Sequence, residues 1–208
     1  DNNVVTVQDY SSLQELGKVA GLCNDAELIR KNDAWTGHGD PMEIALLALA
    51  SKTGMDGGET RNQWTRTDVI PFDSKHKYMA TLNHNHEKHA FIFIKGAPEI
   101  ILSMCNEQRD SGNKTQPLNI EYWEEQANAI ASRGRRVLAF AVKAVKLEHT
   151  VLEHDDVQDS LIFLGLAGLI DPPREEAIQS IDKCHQAGID VKMITGDHAV
   201  TAYAIGKQ

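Results

Sequence analysis

Over the first 150 residues, segments with apolar residues at helical spacing occur together with short apolar runs that are typical of strands. Residues 54–63 are polar and rich in glycine, which predicts a loop, and the closely spaced apolar runs that follow favour antiparallel strands. The pattern therefore predicts an α+β domain with an antiparallel sheet and packed helices. The predicted helices are 12–23, one beginning at Pro41, 97–105 and 118–132, and the predicted strands are 64–71, 77–83, 89–95 and 136–145.

The pattern changes after a polar, acidic stretch at residues 148–158. The run LIFLGLAGLI is continuously apolar, as in a strand that is buried on both faces. An amphipathic helix then begins at Pro173 and ends at Gly188, and IDVKMI at 189–194 predicts a second buried strand. This order predicts a right-handed parallel βαβ unit, which is an α/β segment.

Charge and cysteine content narrow the class of protein. The 208 residues carry a formal net charge of −9, and an acidic surface repels a phosphate backbone, so we expect no nucleic-acid partner. The three cysteines are scattered and form no CxxC pair, which indicates a reducing compartment. The longest apolar run, 161–170, has about half the length that a membrane helix needs, so we expect this piece of chain to be soluble.

Two junctions in the first part suit an anionic ligand. In KGAPE, Lys95 ends a strand, Gly96 allows close backbone approach and a helix follows; a charged strand end and a turn would explain the same residues. Phe72 follows a strand end close to several lysines, so it is a candidate for stacking on a base, or else a core phenylalanine. Glu43 completes a capping box with Asp40, which would suffice to explain both residues.

Two further stretches place carboxylates at strand ends. Asp171 in DPPREEA and Asp197 in ITGDH follow neighbouring strands at their carboxyl ends, where α/β sheets hold their ligands. His84, His86 and His89 lie in a polar turn without carboxylate or cysteine partners, so we expect no metal site there.

Several stretches, taken in order, resemble the cytoplasmic region of P-type cation-transporting ATPases of the calcium and sodium/potassium pump group. The stretches are GDPMEIALL, PFDSKHKYMATL, KGAPE, GRRVLAFA, DPPREEAI and VKMITGDHAVTAYAIG. The resemblance covers nearly the whole chain. It implies a nucleotide-binding domain at residues 1–154 and, at 155–208, an incomplete phosphorylation domain of Rossmann-like, haloacid-dehalogenase type.

The resemblance also implies roles for individual residues in binding ATP. Phe72 would stack on adenine, Glu43 would approach its amino group, Lys77 would line the base and phosphate region, and Lys95 with Gly96 would form the floor of the pocket. Ser74 departs from the calcium pumps, which typically have arginine there. Arg136 would reach the phosphates, and the terminal phosphate would meet a further set across the hinge: Asp171, Arg174, Thr195, Gly196 and Asp197.

The resemblance implies a parent enzyme that couples ATP hydrolysis to cation transport across a membrane. The family's DKTGT stretch, with the aspartate that becomes phosphorylated, and its GDGxNDxP stretch, which holds Mg²⁺, are not in this sequence. We therefore expect no catalytic residue and no metal ligand in this piece. Its partners would be ATP and the remaining phosphorylation, actuator and membrane domains. The alternative is a non-catalytic nucleotide-binding or interaction module of the same fold.

Overall fold

The computed structural model describes residues 11–31, 34–55, 57–110, 112–170, 175–194, 203 and 206–207. Within these ranges the α-helices are α1 (Ser11–Leu22), α2 (Pro41–Lys52), α3 (Gly57–Gln63), α4 (Pro98–Met104), α5 (Ile120–Ala131) and α6 (Glu175–Gln186). The strands are β1 (Glu27–Lys31), β2 (Ala34–His38), β3 (Trp64–Ile70), β4 (Tyr78–Asn85), β5 (Ala90–Gly96), β6 (Cys105–Arg109), β7 (Thr115–Pro117), β8 (Arg136–Val145) and β9 (Leu161–Leu169). A 3₁₀ helix spans His154–Val157.

A mixed α+β architecture results, as the sequence predicts. Seven strands form one sheet in the order β3-β4-β5-β8-β9-β6-β7, and β1 and β2 form a separate antiparallel pair. Neighbours from β3 to β8 are antiparallel, whereas β6 and β9 pair in parallel. β9 thus belongs to the same sheet as the strands of the predicted first domain, and the predicted boundary between residues 154 and 155 stays a prediction.

The middle of the sheet is buried on both faces. Most side chains of β4 and β5 are buried. The helix α1 contacts β5 and packs on α2, and Leu152 and Val157, in the segment after β8, are also buried. The Leu152 backbone N–H donates to Asp68 Oδ2 on β3, which lowers the pKa of that carboxyl. Large side chains that are fully buried include Phe93, Phe140, Phe163, Leu46, Met79 and Leu82.

One local prediction was wrong. The glycine-rich stretch 57–63 is the helix α3, which has Glu59 in its first turn and a hydrogen bond from Gln63 Nε2 to Glu59 Oε1 (3.3 Å). The strands β1, β2, β6 and β7 have no counterpart among the predicted elements, because pairing partners rather than hydrophobic alternation fix them.

The predicted strand 189–194 is also absent from the part of the chain that the structure describes. Ile189, Val191, Met193 and Ile194 are exposed rather than buried, and no described strand pairs with them. A strand needs a neighbour to satisfy its backbone hydrogen bonds, so an apolar run alone does not make one. The predicted βαβ unit therefore has its first strand, β9, and its helix, α6, but lacks its second strand in the described residues.

The chain divides into two compact units. One comprises Asp1–Ile120 with Leu138–Ala167, and the other comprises Glu121–Val137 with Gly168–Gln208. The first unit holds the helices α1 to α4 and nearly all of the sheet. The second unit holds α6 and most of α5.

The cysteines give a chemical test of the core. Burial raises the pKa of Cys23 to about 11 and that of Cys105 to about 12, whereas Cys184 is only partly buried. At about pH 8, roughly one Cys23 thiol in a thousand is then the reactive thiolate. We expect iodoacetamide to alkylate Cys184 well before the other two, as measured by mass spectrometry after timed labelling. The unfolded chain is the control, in which all three should react alike; equal rates in the folded chain would contradict the burial.

Candidate functional site

One end of the seven-stranded sheet gathers most of the predicted site residues. β3 ends at Ile70, which pairs with Ala80, and β4 begins at Tyr78, which pairs with Gly96 at the end of β5. The turn at 71–77 and the junction between β5 and α4 therefore lie at the same end. This register brings together residues that are far apart in sequence: Phe72, Lys77, Lys95 and Gly96.

A buried ion pair joins this end of the sheet to α2. Asp40 caps α2 by accepting hydrogen bonds from the backbone N–H groups of Met42 (2.9 Å) and Glu43 (3.3 Å), as the capping pattern predicts. Lys95 is 7% exposed, and its Nζ lies 2.5 Å from Glu43 Oε1. Glu43 Oε2 accepts a hydrogen bond from the Asp25 backbone N–H at 3.1 Å. The lysine and the glutamate thus neutralise each other in a site that excludes most of the solvent.

The side chain of Phe72 projects into solvent from a turn that is held by hydrogen bonds. Its side chain is 63% exposed, so the alternative of a core phenylalanine is wrong. Asp73 Oδ1 accepts hydrogen bonds from the backbone N–H groups of Lys75 (2.7 Å) and His76 (2.8 Å). The His76 ring bonds Asp73 Oδ2 at 2.5 Å, and this bond is the main cause that lowers the pKa of Asp73 to about 2. The turn next to the exposed ring is therefore fixed by its own side chains.

The same turn is anchored to the 3₁₀ helix. The Tyr78 hydroxyl lies 2.5 Å from His154 Nδ1, and the rings of His76 and His154 are 4.5 Å apart between centroids. Burial, followed by the charge of Asp73, raises the pKa of Tyr78. The sequence pattern does not predict this anchor, because Tyr78 and His154 are 76 positions apart.

Lys77 and Gly96 shape the surface between the turn and α4. Lys77 has a positive φ of 58°, and its carbonyl accepts a hydrogen bond from the Ala97 N–H at 3.0 Å. A Cβ at residue 96 would lie 2.6 Å from the Lys77 carbonyl oxygen, so only glycine fits there without displacing backbone. The Lys77 ammonium lies 3.2 Å from Glu99 Oε1, and both side chains are more than half exposed. An exposed pair of this kind is weak, and the lysine can exchange Glu99 for an anionic ligand.

The remaining predicted residues lie elsewhere. Arg136 is the exposed first residue of β8 and belongs to the second unit. Among the residues that the structure describes, no group of three or more histidine, cysteine or acidic side chains is arranged to hold a metal ion. Five predicted residues lie outside the described ranges: Asp171, Arg174, Thr195, Gly196 and Asp197.

The structure also reveals a loop that the sequence pattern does not single out. Asn24 is 1% exposed, and its side-chain amide donates to the Glu43 carbonyl oxygen at 2.9 Å. Arg66 on β3 forms an ion pair with Asp25 at 2.5 Å. An Asn-Asp pair after a helix predicts only a turn, and nothing local indicates partners 19 and 41 positions away.

An exposed aromatic ring, a lysine–glutamate ion pair and a tight glycine junction thus lie at one end of the sheet of an α+β domain. The family model described as P-type ATPase, cytoplasmic domain N, matches residues 12–176. The chain belongs to this family. Among the residues that the structure describes, no helix combines the length and apolar content needed to cross a membrane.

Several curated proteins are similar to this chain. The Cation-transporting ATPase pma1 of Synechocystis is 44% identical over 196 residues, covering 94% of this chain and 21% of that protein. The Calcium-transporting ATPase 1 of Lactococcus lactis is 39% identical over 188 residues, covering 89% and 21% respectively. The Calcium-transporting ATPase of Bacillus subtilis is 33% identical over 205 residues, covering 98% and 23%. The chain thus spans about a fifth of the length of these relatives.

Proposed function

We propose that the chain binds ATP at the end of the sheet that carries Phe72 and the Glu43–Lys95 pair. The observation that carries this proposal is the 63% exposure of Phe72 beside a turn fixed by hydrogen bonds. An exposed aromatic ring on a fixed turn presents its flat face to the solvent, and stacking on a base needs both that face and that rigidity.

Glu43 provides the polar complement to stacking. Its two carboxylate oxygens hold one donor each, from Lys95 and from the Asp25 backbone. A carboxylate offers about four lone-pair positions, so it retains capacity to accept the exocyclic amino group of adenine. A carboxylate paired with a lysine only accepts hydrogen bonds, which disfavours a base that presents an oxygen at this position.

Lys77 and Gly96 complete the pocket in this proposal. The exposed Lys77 ammonium exchanges its weak contact with Glu99 for a phosphate oxygen. Gly96 lets the end of β5 pack closely against the Lys77 carbonyl, which holds Lys77 beside the end of the sheet. Arg136 is proposed to reach the phosphates as well.

We infer a wider role for the full-length protein of which this chain would be part. It would hydrolyse ATP through an aspartyl-phosphate with Mg²⁺ and couple this step to cation transport, with this chain as its cytoplasmic nucleotide-binding part. Residues 155–208 would belong to a Rossmann-like phosphorylation domain that works with the actuator and membrane domains. The residues proposed for the terminal phosphate are Asp171, Arg174, Thr195, Gly196 and Asp197.

Base selectivity tests the pocket. ITP has an oxygen where ATP has the amino group, so we expect the chain to bind ATP about tenfold more tightly than ITP, as for a hydrogen bond to a charged group. Glu43→Gln should reduce this ratio to about threefold or less, because a neutral amide can turn its own N–H toward the inosine oxygen. Calorimetry with both nucleotides measures the ratio. Equal binding of ATP and ITP by the unaltered chain, or an unchanged ratio in Glu43→Gln, would refute the assignment of Glu43.

A further inference from the structure

A buried asparagine joins the end of α1 to the beginning of α2. Asn24 Nδ2 donates to the carbonyl oxygens of Ala20 (3.0 Å) and Glu43 (2.9 Å), and its Oδ1 accepts from the Ala26 N–H at 2.9 Å. The side chain is 1% exposed, so water does not compete for these bonds. Residues 23–26, which we name the Asn24 loop, therefore have a fixed position relative to the backbone of Glu43.

The Asn24 loop also fixes the side chain of Glu43. The Asp25 backbone N–H points at Oε2 at 3.1 Å, while Lys95 Nζ holds Oε1 at 2.5 Å. A glutamate side chain has three rotatable bonds, and a single contact leaves its carboxylate free to turn. Two donors on different oxygens define the plane of the carboxylate and thus the direction of its remaining lone pairs.

Two guanidinium groups hold the loop from its other side. Arg66 bonds Asp25 Oδ1 at 2.5 Å and donates through Nη2 to the Asn24 carbonyl oxygen at 2.6 Å. Arg61 Nη2 donates to the Ala26 carbonyl oxygen at 2.9 Å. Because a guanidinium is planar and rigid, contacts of this kind fix a loop in orientation as well as in position.

We propose that Asn24 and Arg66 are positioning residues for base selectivity. They act through the Asp25 N–H, which aims the Glu43 carboxylate at the amino group of adenine, and they do not touch the nucleotide themselves. This inference rests on the proposed function of Glu43. In this inference the Asn24 loop contributes to the discrimination between adenine and other purines, and it does not contribute to binding of the phosphates.

The test compares ATP with ITP in variants of the whole chain. Arg66→Ala should reduce the ATP-to-ITP affinity ratio at least threefold while ITP affinity changes by less than about twofold, since only the contact to the amino group is lost. Arg66→Lys keeps the positive charge opposite Asp25 but loses the planar guanidinium that bonds two groups at once, so the ATP-to-ITP affinity ratio of this variant should be intermediate. Asn24→Ser should lower the ratio as well. Arg133→Ala is the control, because it removes an exposed arginine outside the loop and outside the proposed pocket.

A second readout needs no nucleotide. The Asp25 amide proton, bonded to a carboxylate, should resonate downfield in ¹H–¹⁵N spectra and move upfield in Arg66→Ala, Arg66→Lys and Glu43→Gln, but not in Arg133→Ala. Thermal unfolding of each variant is recorded first. If Arg66→Ala does not fold, the affinity ratio and the Asp25 amide shift are compared in Arg66→Lys instead.

The results separate this inference from the proposed function. If Glu43→Gln collapses the ratio while Arg66→Lys and Asn24→Ser leave it unchanged, the positioning role is wrong and the role of Glu43 stands. If the Arg66 variants weaken ATP and ITP equally, the loop is merely structural, which also overturns the inference. An unchanged ratio in Glu43→Gln refutes the proposed role of Glu43, on which this inference rests.

Discussion

Replacing Phe72 by alanine is expected to lower the affinity for ATP by about five- to 150-fold, since stacking of a base on an aromatic ring contributes about 1–3 kcal/mol. The ring is largely exposed, so its removal should leave the free energy of unfolding within about 0.5 kcal/mol of the original. Nucleotide titration by calorimetry, with ¹H–¹⁵N spectra to verify folding, measures both quantities.

Two further variants make the result specific to stacking. Phe72→Trp should retain the affinity, because it keeps an aromatic face, whereas Phe72→Leu should behave like alanine despite its apolar character. ATP affinity that does not change in Phe72→Ala would place the base elsewhere. Equal affinities in the leucine and tryptophan variants would indicate hydrophobic contact without stacking.

Replacing Lys95 by methionine is expected to lower the free energy of unfolding by about 3–5 kcal/mol, the cost of leaving one partner of a buried ion pair uncompensated. The Lys95 side chain is 8% exposed and that of Glu43 is 17% exposed, so the Glu43 carboxylate left without its partner would have little access to water. Denaturant unfolding, followed by circular dichroism and tryptophan fluorescence, gives this free energy.

The double variant Lys95→Met with Glu43→Leu provides the matched comparison. Removing both charges should restore most of the lost stability, since well-packed apolar residues often replace a buried pair without loss. Lys77→Met is the control, because the exposed pair with Glu99 should contribute less than about 1 kcal/mol. A double variant as unstable as the single one would show that packing of the lysine stem, and not the unpaired charge, causes the loss.

Local sequence chemistry predicts much of the fold. The run from Trp64 to Gly96 contains three strands separated by polar turns, and the structure confirms their antiparallel pairing. Asp40 and Pro41 mark the beginning of α2 because capping depends on neighbouring residues only. Such features can be predicted from the sequence because the residues that determine them lie within a few positions of one another.

Features that depend on distant partners are not readable in this way. β6 is polar, and it becomes a strand because it pairs with β9, more than fifty positions later. Residues 189–194 look like a buried strand but have no neighbour in the described residues. In the site, Glu43 and Lys95 are predicted as separate ligand contacts, whereas the structure joins them directly across 52 positions. The sequence pattern identifies candidate residues but not their mutual contacts.

The position of β9 has a consequence for how the sheet is assembled during synthesis. β9 lies between β8 and β6, and among the described strands no other one attaches the β6–β7 hairpin to the rest of the sheet. On the ribosome, β6 and β7 emerge long before β9, so the nascent chain carries two additional open sheet edges, on β8 and β6, until residue 169 leaves the exit tunnel. An excised domain that ends before β9 would keep those edges permanently open, and open edges invite association between chains. Among the strands that the structure describes, β9 is thus both the last in sequence and the one that joins the two parts of the sheet.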